Sequence, residues 1–445
     1  MLEVERPIDR QVSAYVFSND ETARAAGLGM YGSLVKYAYG AFTGLYTSDL
    51  GMISDEIYST SSSNEQALQF RENRLQPDNG GVSNIWATSY EVVYHVNLFL
   101  EKISRSEAVS TPLRNQLIGE GKFIRALLYF YLVNTYGNIP LITSADYHIN
   151  GSLGQRTPEE VYTFMLADLE DAYALLTPDY LTSERIRANK WAAAALLART
   201  YLYQGNWSKA GKYAQEVIAS GAYTLVSVDE VGLNSNAEAI FQLAQNITGG
   251  TNNYDASMLL EVSPSSKKPY YAVDSLLVKA FQEEDARNKS WIHEQITTNG
   301  DVYYMANKYK IRYGIPNEKK IEHLTILRLG ELHLILAEAL AQQEQLEEAI
   351  TQLDIIRKRA GIPLLKNMNI TKTKAHLLDL VMEERQRELC FELGHRWFDL
   401  NRTGRADAYF SSLSYKDWQP TDRYFPIPQS EILLNPFLKQ NAGYK

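Results

Sequence analysis

The chain has 445 residues, of which 45% are hydrophobic and 22% are charged, proportions that exclude a largely disordered chain, a collagen and a coiled-coil rod. Lys and Arg number 44 against 53 Asp and Glu, and the formal net charge of −9 argues against non-specific DNA binding and against a polybasic membrane patch. The single cysteine, Cys390, excludes a disulfide framework and a cysteine-based metal site.

No targeting or membrane-spanning segment is evident in the sequence. Residues 1–6 lack the apolar core of a signal peptide. The apolar runs, such as residues 191–197, are much shorter than the ~20 residues that a transmembrane helix needs. We therefore expect either a cytosolic protein or a mature exported domain from which a leader has been removed.

Apolar residues at helical spacing predict pairs of helices along the chain. One pair covers residues 86–104 and 113–136, and the next covers residues 158–176 and 188–204. The second pair begins with Thr157-Pro158-Glu159-Glu160, a strong helix start in which Thr157 is the N-cap and Glu160 stands three positions later.

The clearest repeat covers residues 188–219, and a second unit follows at residues 329–357. The first unit matches the tetratricopeptide helix–turn–helix pattern. The matching positions are Leu197, Ala198, Tyr201, Gly205 and Ala210. The two units are not separated by a multiple of the repeat length, so we expect repeats interrupted by insertions and not a regular solenoid.

Two insertions differ in character from the helical repeats. Residues 44–84 are rich in Ser, Asn, Gly and Asp, and residues 223–320 mix turn-rich loops with β-like runs at 239–243 and 301–309. Because loops on a rigid scaffold often carry function, we expect ligand binding there. The predicted architecture is a mainly α single domain over residues 1–445, with the helical scaffold mainly at 86–222 and 323–400.

Catalytic and metal-binding motifs are absent from the sequence. The seven histidines show no i,i+4 pairing, so we expect no metal site and no cofactor. Glu384 and Glu388 lie one helical turn apart and could form an acid–base pair. We interpret them instead as structural carboxylates. In this interpretation, neighbouring arginines neutralise them, namely Arg385, Arg387 and Arg396.

The chain has 30 tyrosines, and the aromatic side chains in the insertions indicate function more clearly than the charged residues do. A sugar ring presents an apolar C–H face that stacks on an aromatic ring, while Asn, Asp and Arg bind its hydroxyl groups. The candidate ligand-binding residues are Tyr58, Phe70, Arg71, Asn73, Tyr254, Tyr270 and Tyr271. Ordinary packing is the alternative for each of them, and it is favoured for Trp86 and Tyr90, which share one helix stripe.

Four sequence blocks resemble the SusD/RagB family of Bacteroidetes outer-membrane lipoproteins. They are residues 119–141, from Gly119-Glu120-Gly121-Lys122-Phe123 to Pro140-Leu141; Glu384-Arg385-Gln386-Arg387-Glu388-Leu389; Gly394-His395-Arg396-Trp397-Phe398-Asp399-Leu400; and the C-terminal residues 425–444. The blocks stand in the family's order, and the interrupted helical repeats agree with the resemblance independently.

The resemblance implies a binding protein and not an enzyme. Such a protein captures an oligosaccharide and delivers it to a SusC-like TonB-dependent transporter, from a lipid anchor on the outer face of the outer membrane. The helical repeats would face the transporter, and the insertions would hold the ligand. The family's ligand residues share no motif, so none is carried over to this chain by position.

Three alternatives to glycan capture remain open. Oligopeptide capture predicts an open, mixed polar groove with fewer stacked rings. A glycoside hydrolase needs two carboxylates facing a cleft at a defined separation. A purely structural repeat scaffold predicts no concave aromatic patch on the insertions.

Overall fold

Helices dominate the computed structural model, which describes residues 15–245, 252–313 and 321–444. The prediction of a mainly α fold is confirmed. The helices are α1 Asp20–Leu34, α2 Tyr46–Ile53, α3 Glu65–Arg71, α4 Gly80–Ile103, α5 Thr111–Tyr136, α6 Tyr147–Asn150, α7 Pro158–Leu175, α8 Lys190–Tyr203, α9 Trp207–Ala219, α10 Tyr254–Leu259, α11 Ser275–Ala280, α12 Ala286–Trp291, α13 Leu329–Gln342, α14 Leu346–Ala360, α15 Lys374–Glu388, α16 His395–Arg402, α17 Ala406–Phe410 and α18 Gln429–Leu434.

The predicted helix pairs are present and continue into one array. Helix α4 packs against α5, α5 against α7, α7 against α8 and α8 against α9. Helix α9 then packs against α13, which packs against α14 and α15, so the array continues across the second insertion. The predicted start of α7 is also confirmed, because Thr157 Oγ1 accepts the amide of Glu160 and Glu160 Oε2 accepts the amide of Thr157 at 2.9 Å.

Small side chains let the central helices approach closely. All seven residues from Ala192 to Ala198 in α8 are fully buried. A Cβ placed on Gly211 of α9 would lie 3.4 Å from the Cβ of Ala339 in α13, a normal contact distance between packed helices. The Ala-rich repeat therefore fixes the spacing of the scaffold on which the insertions stand.

Eight short strands form four antiparallel two-stranded ribbons within the described residues. The ribbons pair β1 with β5, β2 with β3, β4 with β8 and β6 with β7. The strands are β1 Ile57–Ser59, β2 Ile139–Pro140, β3 Gln155–Arg156, β4 Ala239–Leu243, β5 Tyr271–Val273, β6 Ile292–Ile296, β7 Val302–Ala306 and β8 Leu324–Arg328. Strands β4 and β7 lie where the sequence predicted β-like runs. The β1–β5 ribbon joins the first insertion to the second.

The beginning of the first insertion belongs to the core and not to a binding loop, which corrects the sequence interpretation. Every residue of α2 is buried, and the Tyr46 ring lies 4.7 Å from the Tyr131 ring of α5. Some polar side chains are satisfied locally, as where Ser54 Oγ donates to the Leu50 carbonyl at 2.8 Å, whereas Tyr46 OH and Asp49 Oδ2 are buried without a hydrogen-bond partner among the described residues. A Ser- and Asp-rich composition therefore conceals a buried helix.

Glu384 and Glu388 lie in a buried network of charges, as the structural interpretation requires. Burial would raise the pKa of each carboxyl, but the surrounding arginines lower both pKa values. The arginines are mostly not those predicted: Arg387 does contact Glu384, whereas Arg385 pairs with Asp399 and Arg396 with Asp55. The main partners come from distant segments, namely Arg287, Arg328, Arg357 and Arg359.

Candidate functional site

The β1–β5 ribbon places sequence candidates from both insertions side by side. Tyr58 is paired with Ala272, and Ser59 with Tyr271. Paired residues share one face of a ribbon and successive residues alternate, so Tyr58 and Tyr271 lie on opposite faces. The candidate residues therefore divide between two surfaces.

The surface on the Tyr58 side is a cleft of about 820 Å3, which we call the ribbon cleft. Its volume lies in the ~300–1,000 Å3 range of ligand pockets. Its walls come from β1, the end of α3, β5, α11, β7 and the loop after α17. The polar and aromatic residues that line it are Tyr58, Arg71, Asp274, Ser275, Lys279, Tyr303, Tyr304, Ser412, Ser414 and Tyr415.

Arg71 is held between two aromatic rings in this cleft. Its guanidinium carbon lies 4.4 Å from the centre of the Tyr58 ring and 4.8 Å from the centre of the Tyr415 ring. Its Nη2 atom is 3.6 Å from an Asp274 carboxylate oxygen, and its Nη1 atom is buried and has no hydrogen-bond partner among the described residues, while the side chain as a whole is 25% exposed. A planar cation fixed in this way is a preorganised donor with spare hydrogen-bonding capacity.

Local structure explains why these side chains stay in place. Asn64 caps the start of α3 by accepting the Ala67 amide at 3.2 Å, and Arg71 is the last residue of that short helix. Asp274 caps α11 by accepting the Leu276 amide at 3.0 Å. The carboxylate that faces Arg71 is thus fixed by the backbone, which limits the freedom of the ion pair.

The electrostatics around the cleft are set by burial and by Arg71. Partial burial raises the pKa of Tyr58, and the Arg71 charge opposes that shift. Lys416, next to Tyr415, donates to the Ile53 carbonyl at 2.6 Å. Burial lowers the pKa of Lys416 to about 7, with Asp55 opposing the shift. Positive charge at this side of the cleft therefore increases as the pH falls through neutrality.

The opposite side of the ribbon carries a second aromatic surface, which we call the tyrosine face. It comprises Tyr39, Tyr254 and Tyr271. Burial raises the pKa values of Tyr254 and Tyr271, and the Tyr39 phenol adds to both shifts. Tyr39 is 55% exposed and has a φ of 57°, a strained backbone conformation for a bulky residue and one that is enriched at functional sites. The adjacent Tyr270 is 47% exposed.

Two sequence candidates are not accessible to a ligand. Phe70 and Asn73 are each 2% exposed. The Phe70 ring packs 5.6 Å from the ring of Phe425, and the Asn73 amide donates to the Ile53 carbonyl. Because both side chains are enclosed by protein, we leave them out of the proposed site; they belong to the packing beneath Arg71.

Sequence reasoning missed several residues of the two surfaces. Tyr303 and Tyr304 form a tyrosine pair within the predicted β-like run at 301–309, and that pair was a usable signal. Tyr415 lies in a C-terminal segment with no local pattern that indicates ligand binding, and Tyr39 precedes the predicted insertion. Their association depends on long-range packing that no local pattern reveals.

Two further structural properties bear on function. No helix in the described ranges is long and apolar enough to span a membrane. Within those same ranges, no three His, Cys, Asp or Glu side chains are grouped so that they could hold a metal ion.

Family comparisons cover most of the chain. Residues 282–444 match the SusD family model, and residues 28–202 match a model described as starch-binding associating with outer membrane. The chain belongs to the SusD family. A SusD-like protein of Formosa agariphila is 27% identical over 99% of this chain and 96% of its own length. A second SusD-like protein from the same organism is 24% identical over 82% of this chain and 80% of its own length.

Solved SusD structures have the same fold as this chain. A SusD superfamily protein from Bacteroides vulgatus superimposes with a TM-score of 0.83, at 20% identity, over 96% of this chain and 99% of its own. A laminarin-binding SusD-like protein superimposes with a TM-score of 0.80, at 26% identity, over 96% of this chain and the whole of its own. The interrupted helical array with short β ribbons is therefore a SusD fold.

Proposed function

We propose that this SusD family protein binds an oligosaccharide in the ribbon cleft and delivers it to a TonB-dependent outer-membrane transporter. The observation that carries the binding role is the clamping of Arg71 between Tyr58 and Tyr415 inside a ligand-sized cleft. Tyrosine rings offer flat apolar faces for sugar C–H groups, and the guanidinium offers donors for sugar hydroxyls. The laminarin-binding relative has the same fold, which supports a glycan as the ligand.

Carboxylate placement favours binding over hydrolysis. A glycoside hydrolase needs two carboxyl groups across the scissile bond. Among the described residues that line the ribbon cleft, Asp274 is the only carboxylate, and it is engaged by Arg71 and by its capping role. The cleft is thus equipped to hold a sugar.

The affinity that we expect for the sugar is modest. Each stacked ring contributes about 1 kcal/mol, and ordering a flexible glycan has a cost, so we expect a Kd of about micromolar to millimolar.

The tyrosine face is proposed as a second contact for longer oligosaccharides. Its three tyrosines come from separate segments, and Tyr271 belongs to the same two-stranded ribbon that forms one wall of the cleft. A glycan that extends past the ribbon edge would meet Tyr270 and Tyr271 next. Tyr254, Tyr270 and Tyr271 therefore remain candidate ligand residues, joined by Tyr39.

Replacing Arg71 with alanine is expected to weaken glycan binding at least tenfold, because the donors at the centre of the cleft are lost and both flanking rings lose their support. Titration calorimetry against plant, host and fungal glycans, with laminarin included and a peptide digest as comparator, measures this. Tyr58→Phe, which keeps the ring, is expected to retain more affinity than Tyr58→Ala. Arg105→Ala, which truncates an exposed arginine after α4, is the matched control.

Two outcomes of this titration contradict the proposal. If the Arg71→Ala variant binds every glycan as the wild type does, the ribbon cleft is not the binding site. If the wild-type protein binds only components of the peptide digest, the ligand class is peptide, and glycan capture is wrong for this protein.

Delivery requires a partner at the membrane surface, and we propose a lipid anchor on the outer face of the outer membrane for the full-length precursor. The description of the matched N-terminal family model associates such domains with the outer membrane. We expect the protein to co-purify with a SusC-like transporter when the two are expressed together. Failure to co-purify in detergent and after reconstitution in lipid nanodiscs would contradict the delivery role but not glycan binding.

A further inference from the structure

A second cleft, which shares no lining residue with the ribbon cleft, lies between α4 and the C-terminal helix α18. We call it the C-terminal cleft; its volume is about 550 Å3. Its lining is aromatic and aliphatic with two carboxylates. The aromatic and carboxylate side chains that line it are Trp86, Tyr90, Glu91, Tyr94, Tyr147 and Glu431. Trp86 is 3% exposed and Tyr90 donates its hydroxyl proton to the Pro140 carbonyl at 2.8 Å, so both rings are held rigidly by packing where they line the cleft.

The aromatic side chains form a wall of defined geometry. The Trp86 and Tyr90 rings are 4.8 Å apart with an angle of 45° between their planes. Towards the mouth, Tyr94 and Tyr147 are 43% and 72% exposed. Exposed Leu434 completes the apolar rim. Aromatic walls of this kind attract cations through the negative faces of their rings, most strongly when the cation is partly desolvated.

The charges in the C-terminal cleft have one sign. Half-burial raises the pKa of Glu431, and the neighbouring Trp86 side chain opposes that shift. Glu431 also lies close enough to the Tyr90 hydroxyl to raise its pKa, in addition to the larger effect of burial. Glu91 accepts hydrogen bonds from the Lys36 ammonium at 2.7 Å and from the Tyr37 hydroxyl at 3.1 Å. No lysine or arginine lines the cleft among the described residues.

We propose that the C-terminal cleft is a second ligand site, which takes an organic ammonium group carried on an apolar body. The ammonium would lie against Glu431 and the faces of Trp86 and Tyr90, and the apolar body would lie against Tyr147 and Leu434. The chemistry is the opposite of that in the ribbon cleft, where the cation belongs to the protein. The two sites therefore select different groups and do not depend on each other.

Matched probes test this assignment: phenethylamine and 2-phenylethanol share an apolar body and differ in the ammonium group. By titration calorimetry at pH 7.5, we expect the wild-type protein to bind phenethylamine at least tenfold more tightly than 2-phenylethanol. Glu431→Gln, which keeps the size of the side chain and removes its charge, is expected to reduce that preference to twofold or less. Equal affinities for the two probes in the wild-type protein, or an unchanged preference in Glu431→Gln, would overturn the proposal.

Additional probes identify the source of the ammonium group, and additional variants keep the test valid if Glu431→Gln misfolds. A capped Leu-Lys-Leu tripeptide that binds more tightly than phenethylamine identifies a peptide side chain as the source, and the reverse order identifies a free amine. Tyr147→Ala removes an exposed ring and is expected to weaken phenethylamine at least threefold; no change would count against the site. Arg71→Ala should leave phenethylamine binding intact, so failure here is distinguishable from failure of glycan capture.

Discussion

Replacing Arg328 with methionine is expected to lower the free energy of unfolding by about 3–5 kcal/mol, the usual cost of removing one member of a buried charge network. Arg328 is 1% exposed. Its guanidinium donates to Glu238 at 2.8 Å, to Glu388 at 2.5 Å and to Glu392 at 3.0 Å. Without it, three buried carboxylates lose a shared cation in a region where water cannot replace it. Urea denaturation followed by circular dichroism measures the change.

Two substitutions define the scale of that effect. Arg328→Lys keeps the charge but not the forked donors, so it should fall between the wild type and the methionine variant. Arg405→Met removes an arginine that is paired with Asp379 at the surface and should cost less than about 1 kcal/mol. An Arg328→Met variant as stable as Arg405→Met would show that the network contributes little to stability.

Glu56→Gln is expected to remove a pH dependence of stability on the order of a few kcal/mol. Burial raises the pKa of Glu56 to about 8, with the Asp55 charge adding to the shift and Arg396 opposing it. Because the folded protein holds this proton more tightly than the unfolded chain does, stability is greatest below a pH of about 4.5. The stability of the wild type declines as the pH rises through about 8. The Glu56→Gln variant does not show this decline, because glutamine does not titrate.

The measurement is the difference in unfolding free energy between the wild type and Glu56→Gln at several values from pH 5 to pH 8.5. The wild type should lose stability relative to the variant as the pH rises. Other buried carboxyls, such as Asp49, titrate in both proteins and cancel in the difference. Glu21→Gln, at an exposed position of α1, controls for the substitution itself. A difference that stays constant across this range would contradict the assignment of a raised pKa to Glu56.

The scaffold could be predicted from the sequence because its determinants are local. Helical periodicity in residues 188–219 and the capping box at Thr157 each operate within a few turns of one segment, and both are present in the structure. The first insertion was harder to interpret because its polar residues suggested loops. Asn64 and Asn79 instead cap α3 and α4, so an Asn-rich composition marked helix starts.

The ribbon cleft could not be predicted because it depends on contacts between distant segments. Thr60 donates to the carbonyl of Pro269, 209 residues away, and strands of three residues carry almost no periodic signal. Tyr58 and Arg71 were selected for their residue types, yet Tyr415, which completes the clamp, comes from the far end of the chain. Phe70 had the same residue-type signal as Tyr58, and only the fold shows that it is buried.

The position of the bound sugar is the central claim, and a crystal structure of the protein with the tightest-binding glycan of the panel tests it most directly. We predict a sugar ring in the ribbon cleft, with hydroxyl groups within hydrogen-bonding distance of Arg71 and a C–H face against a tyrosine of the cleft. Longer glycans should extend towards Tyr271. A glycan bound only at the tyrosine face or only in the C-terminal cleft, with the ribbon cleft empty, would contradict the account.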